Sequence, residues 1–149
     1  MKINIGTHPN PFSILYKMGI NTEQKISVKI NKWDTWNMDV TLAHIIHPML
    51  VQLKETKNTH PPKLTEQEWD SILDDMIFAF ESKTIDWESE FTSGEWDMKL
   101  VDKIEPGLAE LTEGPNHTYK VDTKGMKTYQ KRIAKGFTLF GKYYNHLWD

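Results

Sequence analysis

Charge in this chain is sorted into three blocks, and whatever fold it adopts has to accommodate them. Residues 1–65 carry eight Lys against four acidic residues. Residues 66–113 carry fifteen acidic residues against three Lys, and residues 114–149 carry seven basic residues against two acidic. The formal net charge of -3 conceals this arrangement. The blocks can neutralise one another inside one fold or across an interface between copies of the chain. Attraction between acidic and basic surfaces favours docking, so a homo-oligomer, most simply a two-fold dimer, is expected.

Composition narrows the class. With 149 residues, 38% hydrophobic and 26% charged, the chain reads as one globular domain, residues 1–149, large enough to fold without staples. It has no cysteine, which excludes disulfides, thiolate zinc sites and cysteine nucleophiles. Its first residues place His8, Pro9 and Pro11 where a signal peptide needs an apolar run. No apolar segment approaches the ~20 residues that span a bilayer. A soluble, intracellular protein with no membrane partner is expected.

Hydrophobic periodicity predicts an α+β fold of three main helices packed with a small N-terminal sheet and a β-hairpin arm. Gln24–Lys32 alternates Ile26, Val28 and Ile30 with polar residues, as a half-buried strand does, and Lys2–Ile5 is its expected partner through the turn at His8–Pro11. The first helix, about 35–56, starts near Asp34 or Thr35. It carries an apolar stripe of Met38, Leu42, Ile45, Ile46, Met49 and Leu53 that continues past Pro48, where a kink is expected. Thr65 through Glu68 forms a capping box that opens a second helix to about Ser82, apolar on nearly every side at Met76–Phe80 and therefore central. Pro106–Gly107 marks a ragged hairpin within 96–113. The last helix, about 122–148, begins near Asp122 or Thr123, and Gly136 and Gly141 on or beside its apolar face imply close approach of another backbone.

Enzyme signatures are absent: there is no phosphate loop, no dinucleotide motif and no nucleophile elbow. His44 and His47 are three residues apart but lack the further ligands of a metal helix, and they read as flank histidines. Asp70, Asp74 and Asp75 lie in a block so acidic that paired carboxylates arise there by chance. No catalytic residue, metal ligand or cofactor is therefore assigned. The last helix carries Lys124, Lys131, Lys135 and Lys142 in a basic stripe beside Arg132, the one arginine of the chain. Arg132 has two readings, pairing with the acidic block or holding a phosphate with its planar fork. Trp33 and Trp36 flank a strand-to-helix turn, where indoles either anchor the helix or stack on a base. General DNA binding does not fit a negative chain whose basic footprint is one helix wide.

Several strings resemble a family of small proteins encoded by tailed bacteriophages: WDTWNMD at 33–39, TLA at 41–43, PMLVQLKETK at 48–57, WDSILDDMIFAFE at 69–81 and GFTLFGKYYNHLWD at 136–149. That family has no assigned activity, and its members carry aliphatic residues where this chain has His44 and His47. The resemblance implies a phage product acting in the cytoplasm of an infected bacterium. Combined with the residues, it leads to an expected non-enzymatic protein that sequesters a small nucleotide-like anion. Trp33, Trp36, Lys54, Lys57, Arg132, Lys135 and Tyr143 form the expected binding set. The alternative is an interaction protein docking on a virion or host protein through its acidic segment, and metal-dependent hydrolysis has least support.

Overall fold

A computed structural model describes residues 2–5, 26–102 and 109–148. The expected turns at His8–Pro11 and Pro106–Gly107 lie outside the described residues. The fold is α+β, with three helices and small antiparallel strand pairs. The chain forms two compact units, residues 1–41 and 42–149.

In the first unit, β1 (Lys2–Ile5) pairs antiparallel with β2 (Ile26–Lys29), Ile3 opposite Val28. Val28 and Ile30, expected on a half-buried face, are exposed, because a two-stranded sheet supplies no second layer of its own. A 3₁₀ turn over Lys32–Thr35 follows, closed by Asn31 N–H donating to Asp34 Oδ2 at 2.7 Å.

Helix α1 (Met38–Thr56) starts three residues later than expected and runs through Pro48 without ending. Its buried residues are Ala43 and Leu50, with Ile46 and Leu53 packed beside them. Leu42 and Met49, expected in the same stripe, are exposed. The helix is thus rotated so that the small Ala43, rather than Leu42, faces the core. Helix α2 (Glu66–Glu81) opens on the expected capping box: Glu68 N–H donates to Thr65 Oγ1 at 3.2 Å and Thr65 N–H donates to Glu68 Oε2 at 2.8 Å. The Thr65 N–H, together with the Thr65 hydroxyl that donates to the same Oε2 at 2.9 Å, holds the Glu68 carboxyl below its ordinary pKa. Among the described residues Trp69, Leu73 and Met76 of α2 are the largest fully buried side chains, each contributing roughly 1.5–3 kcal/mol of burial.

Between α2 and the last helix the described residues form a 3₁₀ turn at Glu88–Phe91 and short paired strands. β3 (Thr92–Ser93) pairs with β6 (Lys120–Val121), and β4 (Met98–Asp102) with β5 (Ala109–Glu113), Leu100 opposite Leu111. The turn at Gly94 needs glycine: its φ is 85°, and a Cβ would strike the Thr118 carbonyl. Helix α3 (Thr123–Tyr143) is capped by Asp122, whose carboxylate accepts from Gly125 N–H at 2.9 Å. Phe137 and Phe140 of α3 meet Phe80 edge-on at 5.1 and 4.8 Å, and Tyr143 meets Trp69 at 5.5 Å. Gly136 is buried against α2; a methyl there would fall on the Asp75 carbonyl oxygen and the Ala79 side chain, so the expected close approach is realised. Gly141 meets nothing within 4 Å. Among the described residues no helix is long and apolar enough to cross a membrane.

Candidate functional site

Helix α2 carries the acidic residues that organise the second unit. Asp70 and Asp74, one turn apart, face α1: Lys54 Nζ lies 2.5 Å from Asp74 Oδ1 and Lys57 Nζ 2.8 Å from Asp70 Oδ1. The Lys57–Asp70 contact is ionic without hydrogen-bond alignment. Asp75 faces the other way, toward α3. It is buried, yet Arg132 Nε donates to its Oδ1 at 3.1 Å and Lys135 Nζ lies 2.6 Å from its Oδ2. Burial pushes the Asp75 carboxyl up, but the bonds from Lys135 and Arg132 outweigh it and leave the pKa below the ordinary value. Asp70, Asp74 and Asp75 thus meet basic side chains of the flanking helices within one protomer.

Arg132 is held on two sides. Its Nε is fixed by Asp75, and its guanidinium carbon sits 3.9 Å from the centre of the Phe78 ring. Its side chain is nevertheless 49% exposed, and no hydrogen bond engages its terminal nitrogens among the described residues. Arg132 lines an open cleft of about 550 Å³ together with Phe78, Phe91, Asp122, Lys124, Thr128 and Tyr129. Lys124, Thr128 and Arg132 follow one another at four-residue spacing, so they form one row along α3. Tyr129 forms the cleft's aromatic wall, stacked on Trp87 at 4.6 Å and meeting Phe78 at 4.7 Å. Burial raises the Tyr129 pKa, and the nearby carboxylates of Glu90 and Glu81 raise it further. Asp122 places a carboxylate on the cleft lining.

The structure gathers only part of the expected binding set. Arg132 and Lys135 share Asp75. Lys54 and Lys57 lie on the α1 side of α2, and the Lys57 side chain is only 8% exposed. Tyr143 packs in the core edge against Trp69, under the Lys142 ammonium at 4.9 Å. Trp33 and Trp36, both exposed, pair with each other at 6.1 Å in the first unit. Phe78, Lys124, Thr128 and Tyr129 were not in that set. The four-residue spacing of Lys124, Thr128 and Arg132 was readable, whereas the stacking on Phe78 depends on how two helices are rotated.

His44 and His47 join no metal site: among the described residues no group of three His, Asp or Glu could hold a metal ion. A second and larger cavity, about 840 Å³, opens between α1 and α3 and is lined by apolar side chains apart from Gln52 and Thr56. Comparison with family models, curated proteins and solved structures returns no match for this chain.

Proposed function

We propose that this chain is a non-enzymatic binding protein that holds a small nucleotide-like anion on the Arg132 row of α3 and acts by sequestration. The observation that carries this reading is the state of Arg132. A buried carboxylate orients its inner nitrogen, an aromatic ring supports its face, and the half-exposed side chain lines a cleft with its outer nitrogens not hydrogen-bonded among the described residues. An arginine held this way loses little further entropy on clasping a phosphate. Lys124 and Thr128 extend the row, and Phe91 and Tyr129 offer ring surface to a base. Asp122 on the lining opposes a dense negative charge, which favours a ligand with one charge per phosphate, such as a cyclic phosphodiester, over a terminal polyphosphate. The cellular setting, the cytoplasm of a phage-infected bacterium, rests on the resemblance of segments 33–39, 41–43, 48–57, 69–81 and 136–149 alone.

Docking through the acidic segment is less favoured, because Asp70, Asp74 and Asp75 already face basic side chains. Titration calorimetry of the full chain against cyclic and linear nucleotides tests the proposal. Submicromolar binding, about 8 kcal/mol or more, is expected for one of them. Arg132→Lys keeps the charge but loses the fork, so affinity falls about tenfold or more, a loss of roughly 1–3 kcal/mol. Silence across the panel, or equal affinity in Arg132→Lys with an intact fold, refutes the assignment.

A further inference from the structure

Asp122 is tied down at the start of α3 yet keeps acceptor capacity. Its Oδ1 accepts from Gly125 N–H at 2.9 Å as the helix cap, and its backbone N–H donates to the Phe91 carbonyl at 2.8 Å. Capping uses one of the roughly four lone-pair sites of a carboxylate. Among the described residues no donor bonds Oδ2 and no cation pairs with Asp122.

Gly125 brings that second oxygen beside a ring. A Cβ on Gly125 would strike Asp122 Oδ2 and come within 2.8 Å of the Phe91 ring, so the oxygen and the ring crowd the same position. Glycine in the first turn costs helix stability, and here the close approach requires it. Phe91 is held in turn by Tyr129, edge-on at 5.5 Å, and by Trp87 at 6.0 Å. Asp122 and Phe91 both line the Arg132 cleft. An acceptor beside a fixed aromatic ring is what reading a base requires: the ring carries its face and the acceptor its edge. From Asp122 to Arg132 the helix rises about 15 Å, and helical side chains lean back toward the N-terminus. The two residues thus stand at the base and phosphate ends of one nucleotide-sized ligand.

The polarity of the edge selects among bases. A carboxylate only accepts, so it favours adjacent donors and is repelled by a ring nitrogen that also accepts. Guanine presents two neighbouring donors, N1–H and the 2-amino group. Adenine and cytosine set their amino group beside an accepting ring nitrogen, and uracil and thymine flank one N–H with carbonyls. We propose that the ligand carries guanine and that the Asp122 carboxylate, beside the Phe91 ring, accepts from its N1–H and 2-amino group. This assignment rests on the reading that a nucleotide-like anion lies along the Arg132 row.

Titration calorimetry of the full chain with the 3′,5′-cyclic monophosphates of guanosine, inosine, adenosine and xanthosine tests it. The guanosine ligand is expected to bind about tenfold tighter than the adenosine one, or better. Inosine, which lacks only the 2-amino group, should fall between them, and that comparison needs no variant. Asp122→Asn keeps an equally good cap, so the melting temperature should hold. Asparagine offers one acceptor and one donor in place of two acceptors, which matches the N1–H and 2-carbonyl of xanthine. The variant should therefore lose about tenfold for the guanosine ligand and gain for the xanthosine one, an exchange that damage to a cap does not produce. Binding without base preference that still falls in Arg132→Lys overturns the guanine assignment and leaves the Arg132 row standing. A guanine preference that Asp122→Asn leaves unchanged overturns the role of Asp122. Silence toward all four ligands overturns the proposal as well, whatever a wider nucleotide panel returns for Arg132.

Discussion

The two flanks of helix α2 are built on opposite terms. Toward α3, Gly136 lets the backbones approach until the Asp75 carbonyl occupies the space of a side chain, and Phe80, Phe137 and Phe140 interlock edge-on. Toward α1, the contact runs through longer reach: Ala43 and Leu50 in the core, and Lys54 and Lys57 bridging to Asp74 and Asp70. The same ion-pair chemistry serves both flanks but does different things. On the tight side Asp75 is buried and positions an arginine; on the loose side Lys54 and Asp74 stay partly in water. A buried carboxylate with two cationic partners is a structural and orienting element, while an exposed pair contributes little.

Substitutions separate the flanks. Gly136→Val should have the largest effect, about 3 kcal/mol or more, because the new side chain meets backbone that cannot give; a urea midpoint equal to wild type would mean the approach is not that close. Leu50→Ala on the loose side should lose about 2 kcal/mol, the low end for a buried leucine, because the adjoining cavity wall can move in. Urea unfolding measures this too, and a loss as large as that of Gly136→Val would erase the contrast.

Asp75→Asn should cost about 1–2 kcal/mol, since Arg132 and Lys135 lose their anion but remain in reach of water. Its pH signature is signed. The folded pKa of Asp75 lies below the unfolded value, so its contribution is complete above the unfolded value, about 3.9, and is lost as pH falls through the folded one. Acid unfolding of Asp75→Asn, followed by circular dichroism, should therefore be shallower than that of wild type. Gly141→Ala should gain up to about 1 kcal/mol in thermal melts, opposite in sign to any change at Gly136. Lys54→Ala should change stability least, by about 0.5 kcal/mol or less, and that difference should shrink further in high salt.

Local signals made the helices legible. The Thr65 capping box placed the start of α2, and the apolar density at Met76–Phe80 marked it as central. Gly136 announced a close approach that the structure shows. Where the outcome depended on the rotation of one element against another, sequence was less informative. Leu42 and Met49 share the helical period of the buried residues, yet Ala43 sets which side of α1 turns inward. Val28 and Ile30 alternate as a half-buried strand does, but alternation states only that one face is apolar, not that a layer exists to cover it. At the candidate site Arg132 stood out by being unique, and pairing with the acidic block was one of its two readings. Choosing Asp75 over Asp70 or Asp74 required the azimuth of both α2 and α3, as did finding Phe78 beneath the guanidinium.

The glycine contact also bears on the order in which the chain comes together. Helices α1 and α2 are joined by a short loop, so the looser pair is local and can form early. The closer pair, α2 with α3, is separated by the long segment between Glu81 and Thr123. That segment must be closed before Gly136 meets Asp75, and the entropy of closure is lost before the contact returns anything. A late Gly136 contact would make Gly136→Ala speed unfolding far more than it slows refolding, placing the most intimate contact of the molecule after the rate-limiting barrier.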